Sequence, residues 1–152
     1  MIIETESVVG APIDQVWQRV ISPQGINHEM RPWMTMSMPR GTEGLTIDAV
    51  PVGVPLGRAW IRLFGVVPFD YDQLMIKGFT EGRSFHESST MLSMRRWDHE
   101  RFLTPLDDGR TGVRDRVTFI PRLPLKVLTP VLARVLKAFF AHRHRRLRQY
   151  FD

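Results

Sequence analysis

The sequence predicts an α+β fold in which an antiparallel sheet packs against one long C-terminal helix. Three observations predict it: two short helical segments follow an N-terminal strand, a middle region alternates like β-structure, and the last segment repeats apolar residues at helical spacing. With 152 residues and 43% hydrophobic content, the chain has the length of one domain, 1–152, and enough apolar material for a core without staples.

Residues 2 to 9, IIETESVV, read as a strand. IDQVWQRVIS follows as a short amphipathic helix, because Ile13, Val16, Trp17, Val20 and Ile21 recur at helical spacing, Pro12 suits a first helical position and Asp14 suits a positive N-terminus. Ser22-Pro23 stops it and opens a second short helix to about His28, with Ser22 as cap. From Arg31 the texture turns to β: WMTMSM, GRAWIRLFGVV, DQLMIKGFTEG, RSFHESSTM, SMRRWDHERFL and GVRDRVTFI, so five or six antiparallel strands are expected. Asp107-Asp108-Gly109 marks the clearest hairpin. Two connections look irregular, Pro39 to Gly57 and Gly65 to Asp72, and the first has room for a short strand from Leu45 to Val50. A long helix from Thr129 to Phe151 closes the chain, with Thr129 as cap and Pro130 at the first position. Leu128, Leu132, Val135, Phe139 and Tyr150 share its expected apolar stripe, while Arg134, Lys137, His144, Arg145 and Arg148 fall opposite.

Composition excludes several chemistries. There is no cysteine, hence no disulfide, thiolate metal site or cysteine nucleophile. MIIETES lacks the basic start of a signal peptide and no apolar run nears the ~18 residues of a membrane span, so a soluble cytoplasmic protein is expected. The net charge of +5 belongs to one end, since residues 121 to 152 carry eight Lys or Arg against Asp152 alone.

The order of elements resembles the START-like superfamily, also called SRPBCC or Bet v 1-like and including polyketide cyclase/dehydrase-related proteins. The resemblance rests on ESVVGAPIDQVWQRVISPQGI, PLDDGRTGVRDRVTFIP and FFAHRHRRLRQYF, and covers essentially the whole chain. It implies a helix-grip fold, a curved antiparallel sheet wrapped around the long C-terminal helix, with a cavity between them for a hydrophobic or amphipathic small molecule such as a lipid or polyketide.

Pairing two of the strands locates a candidate site. The more apolar face of GVRDRVTFI is Val113, Asp115, Val117 and Phe119, so it should point inward and take Asp115 with it. Its hairpin partner then directs Trp97, His99, Arg101 and Leu103 inward and leaves Asp98 and Glu100 to water, and RSFHESSTM adds Phe85, Glu87, Ser89 and Met91. The expectation is a polar cluster of Glu87, His99, Arg101 and Asp115 inside an apolar cavity. A satisfied salt-bridge network, orientation of a ligand's polar group, and acid/base catalysis by His99 with Glu87 or Asp115 are the three roles open to it. No G-x-S-x-G nucleophile elbow is present, so any reaction would be of the cyclisation or dehydration kind the resemblance implies. Met34 and Met36 could line an adaptable pocket, and Trp60, Leu132 and Phe139 join the expected lining.

No metal and no cofactor are expected. His142 and His144 stand two apart on a helix and point about 200° apart, and no nucleotide-binding fingerprint occurs. The basic run HRHRRLR reads as a solvated face, an anionic-membrane contact or a ribosome contact. Nucleic acid ranks last because only Tyr150 and Phe151 offer stacking. Binding of a small molecule without turnover is the leading expectation, ahead of a cyclase/dehydrase-like enzyme and of a non-catalytic membrane or ribosome module.

Overall fold

A computed structural model describes residues 1–152. The elements run β1 (Ile2–Val9), α1 (Ile13–Val20), α2 (Pro23–Met30), β2 (Met34–Met36), β3 (Gly57–Leu63), β4 (Val67–Leu74), β5 (Ile76–Thr80), β6 (Ser84–Met91), β7 (Met94–Pro105), β8 (Thr111–Pro121) and α3 (Thr129–Phe151). The strands form one antiparallel sheet in the order β1-β8-β7-β6-β4-β3-β2, with β5 also on β6. The sheet curls round α3, so the helix-grip expectation holds.

Eight strands replace the five or six expected. DQLMIKGFTEG divides at Met75, and β6 receives both pieces: Ser84 to Glu87 pair with β5, Thr90 and Met91 with β4. The stretch from Gly65 to Asp72 is no irregular loop. Phe64 and Gly65 take positive φ (53° and 75°), the Val66 N–H donates to Leu63 O at 3.0 Å, and this three-residue connection leads into β4 at Val67. Leu45 to Val50 forms no strand, only a 3-10 turn at Ile47–Ala49 where the Thr46 hydroxyl donates to Asp48.

Helix ends follow local chemistry with two corrections. Ser22 caps α2 as expected, its Oγ accepting from the Gly25 N–H at 3.0 Å and donating to Arg19 O at 2.8 Å. Gly25 is required there, because a Cβ would lie 1.8 Å from Arg19 O. Pro12, expected as the first helical residue of α1, is instead its extended N-cap. Thr129, expected as the cap of α3, is its first residue: Leu128 holds the cap position and the Thr129 hydroxyl donates back to Lys126 O at 2.6 Å.

Two apolar clusters fill the grip. One joins α1 to the sheet and the end of α3 through Val16, Trp17, Val20, Leu103, Val113 and Leu147. The other sits under the first half of α3, with Ile61, Met91, Met94, Val117, Phe119 and Phe140. Between them along β7, β8 and α3 lies a layer of charged side chains.

Candidate functional site

The layer is set by register. Arg101 pairs with Asp115 across β7 and β8, one step from Leu103–Val113 on one side and His99–Val117 on the other. All of these point inward, as do Phe85, Glu87, Ser89 and Met91 on β6. Arg101 is the most buried, with no exposed surface, and its guanidinium forks both ways. Nε and Nη2 donate to Asp115 at 2.7 Å each, while Nη1 and Nη2 donate to Glu29 at 2.9 Å. Glu29 also accepts from Arg143 Nε at 3.1 Å. Asp115 takes two imidazoles besides: His99 Nε2 donates at 2.8 Å and His144 Nε2 at 2.6 Å, and the Ser7 hydroxyl lies 2.6 Å from His144 Nδ1.

Two carboxylates and two guanidiniums balance here, so burial does not leave a net charge. Burial alone would raise Asp115, but Arg101 and His99 outweigh it and hold its carboxyl well below the usual range. Glu29 is lowered in the same way, with Arg101 and Arg143 overcoming desolvation. Asp115 and Glu29 in turn push the buried Arg101 upward, despite the opposing desolvation.

The predicted cluster therefore forms in part. His99, Arg101 and Asp115 meet as expected, and Trp97 is half-buried on the same face. Glu87 does not join them. It stands opposite His99 in register, yet it accepts from the Ser89 hydroxyl at 3.1 Å and neighbours Asp72. Asp98, expected in water, is 5% exposed, covered on the outer face by Arg96 and His86 at 2.5 and 2.9 Å.

Glu29, Arg143 and His144 belong to the network and were not among the candidates. His144 was placed on the basic outer face of the helix, but it is 3% exposed. The helix turns Leu132, Leu136, Phe140, Arg143, His144 and Leu147 toward the sheet. Val135 and Tyr150, assigned to the apolar stripe, are exposed, whereas Phe139 and Leu132 pack half-buried beside the second cluster. A signal existed for Glu29, which shares the buried side of α2 with Gly25 and Met30. His142 is turned elsewhere, to Arg31 O at 2.8 Å, so the two histidines do not converge.

The expected cavity between sheet and C-terminal helix is displaced. Beneath α3 the space is filled by Phe140 and the ion network. The open volume lies at the other end of the grip, under α2 and the segment 37–56, where Ile26, Met36, Met38, Leu45, Leu74 and Glu87 bound an apolar cavity of about 40 Å³. Met36 also borders an open cleft of about 510 Å³ that Arg31, Arg62 and Phe64 flank, so this residue lines both spaces. From Met38 to Thr46 the segment's backbone hydrogen bonds stay within the segment, and its next tether is the Ile47 N–H on Ile21 O at 3.0 Å. Met34 packs against the second cluster. Trp60 is outside the cavity, because Ala59 and Ile61 take the inward positions of β3 and leave Trp60 38% exposed against Tyr71 and Arg58.

The fold is a helix grip, a curved antiparallel sheet around a long C-terminal helix. The chain belongs to the family described as Domain of unknown function (DUF8410), which matches residues 7–151. Similar solved structures include protein CV1439 from Chromobacterium violaceum (14% identity, 99% of this chain and 96% of that one, TM-score 0.73). A START superfamily protein from Mycobacterium smegmatis is similar as well (10% identity, 99% and 96%, TM-score 0.69). So is the Zhui aromatase/cyclase from Streptomyces sp. R1128 (16% identity, 99% and 92%, TM-score 0.68). These likenesses establish the fold. No curated protein matches the sequence, and no helix is long and apolar enough to cross a membrane.

Proposed function

We propose that the protein binds a hydrophobic or amphipathic small molecule, without turnover, in the space bounded by α2, the segment 37–56 and β4 to β6. The observation that carries this reading is the apolar cavity whose wall at Met36 is shared with the open cleft. At about 40 Å³ the cavity is far below the roughly 300 Å³ of a typical ligand site, so binding requires movement of Met36 and the segment above it. The self-contained hydrogen bonding from Met38 to Thr46 supports such opening, since few bonds to the body would break.

The similarity to an aromatase/cyclase raises the question of catalysis by His99. Its geometry favours a structural role. The imidazole is 4% exposed, commits Nε2 to Asp115 and lies edge-on to Phe85 and Phe140, and it borders neither the cavity nor the cleft. Ser7, His144 and Asp115 line up like a hydrolase triad, but Asp115 also serves Arg101 and His99 and none of the three borders either space.

A second reading concerns the surface of α3 and of the turn that precedes it. Val127, Val131 and Val135 are 78%, 52% and 59% exposed at four-residue spacing, and Leu123 beside them is 79% exposed. Exposed Lys126, Arg134, Lys137 and Arg145 accompany them. Apolar side chains among unpaired cations fit an anionic lipid surface, from which an apolar ligand would be collected.

Native mass spectrometry on protein isolated from its own host tests the main reading. A co-purifying apolar molecule, released on denaturation, is the expected result; protein that carries none and gains no thermal stability from any apolar compound contradicts it.

A further inference from the structure

Resting on that reading, we propose that Asp72 and Glu87 are the polar anchor of the site, a carboxyl pair that recognises a protonated amine on an otherwise apolar ligand. Glu87 is the one ionisable side chain on the wall of the apolar cavity. Behind it stand two groups that fix its carboxyl. The Ser89 hydroxyl takes the Met75 N–H at 3.3 Å and passes its own proton to Glu87 Oε2 at 3.1 Å. Asp72, 3% exposed on β4, is near enough for the Glu87 charge to act on it, and its Oδ1 is buried without a partner.

Two buried carboxyls side by side do not both ionise readily, and burial first, then the Glu87 charge, push Asp72 well above the usual carboxylate range. The protonated form of Asp72 is thereby favoured beside the Glu87 charge. The pair retains one negative charge.

Nothing in the protein neutralises it. The buried arginines spend their bonds on Glu29 and Asp115. The remaining inward acid of β4, Asp70, is occupied by the Ser93 hydroxyl and by the Tyr71 and Ser93 N–H groups. His99, the cross-strand neighbour of Glu87, gives its Nε2 to Asp115. A carboxylate with free lone pairs facing an apolar wall is matched by a cationic donor carrying apolar substituents. A ligand carboxylate is repelled by the same charge.

Matched six-carbon probes test this: hexylamine, hexanol and hexanoate are titrated into the full-length protein at pH 7 by calorimetry. Hexylamine is expected to bind about ten- to a hundredfold tighter than hexanol, with hexanoate weakest. Glu87→Gln should abolish the amine preference while leaving hexanol within about threefold, Asp72→Asn, which leaves the charge on Glu87, should keep it, and thermal melts verify that each variant is folded. Hexanol binding as tightly as hexylamine, or an amine preference that survives Glu87→Gln, overturns the anchor but not ligand binding. Binding of none of the three overturns both.

Discussion

His144 Nε2 donates to Asp115 Oδ2 across 2.6 Å, joining the last helix to β8, the strand beside the β1 edge of the sheet. With Ser7 on the other ring nitrogen, one imidazole ties β1, β8 and α3 together. His144→Ala removes both bonds and leaves an acceptor of the buried carboxylate unfilled. A loss of about 1.5–3 kcal/mol is expected, read from urea denaturation. A change below about 0.5 kcal/mol would show the bond to be incidental.

Arg101 has a larger role because two carboxylates depend on it. Arg101→Met leaves Glu29 and Asp115 buried with too little positive charge, at an expected cost of about 3–5 kcal/mol. Retention of wild-type stability would mean that water reaches the network.

The acids predict opposite pH slopes. Asp115 and Glu29 have lowered folded-state values, so the stability they contribute is present above their ordinary values of 3.8 and 4.5 and is lost as pH falls below them. Asp72 is raised, so its contribution is full below 3.8 and is lost as pH rises toward its folded value. Urea midpoints should fall steeply below about pH 4 in the wild type. Asp72→Asn should remove the decline on the alkaline side and leave the acid limb in place; an unchanged alkaline limb would contradict the raised Asp72.

If the segment over the cavity opens, its amides should exchange early. Gly41 to Leu45 are expected to exchange faster than α2, and to slow when an apolar ligand binds. Hydrogen-exchange mass spectrometry reads this directly, and protection equal to that of α2 in the free protein would argue against a moving roof.

Anionic vesicles probe the exposed face of α3. Binding should weaken with added salt and fall about tenfold or more for the Arg134→Glu, Arg145→Glu double variant, since each cation near such a surface contributes about 1 kcal/mol. Salt-insensitive binding would remove the lipid reading.

Much of the fold was legible because its signals are local. Ser22-Pro23 specified a helix start, Asp108-Gly109 a hairpin, and the alternation in GVRDRVTFI a face that brings His99 or Arg101 to Asp115; the Arg101–Asp115 register itself is seen only in the structure. The failures occur where a partner distant in sequence overrides a local default. Arg143 and His144 read as solvent-facing because charges usually are, and only Glu29 and Asp115 make their burial favourable. Face alternation alone puts Glu87 with His99; the competing neighbour, Asp72, lies on β4, whose pairing with β6 no local signal reveals. The resemblance implies a cavity under the long helix, and neither the depth of Phe140 nor the roof from Met38 to Thr46 is written in any periodicity.

The most direct measurement uses the eight methionines as reporters. In methyl-labelled spectra during titration with hexylamine and hexanol, Met36 and Met38 should shift saturably while Met91 and Met94, packed beneath α3, stay still. Shifts confined to Met91 and Met94, or no saturable shift in any methionine, would contradict a ligand site under the 37–56 segment.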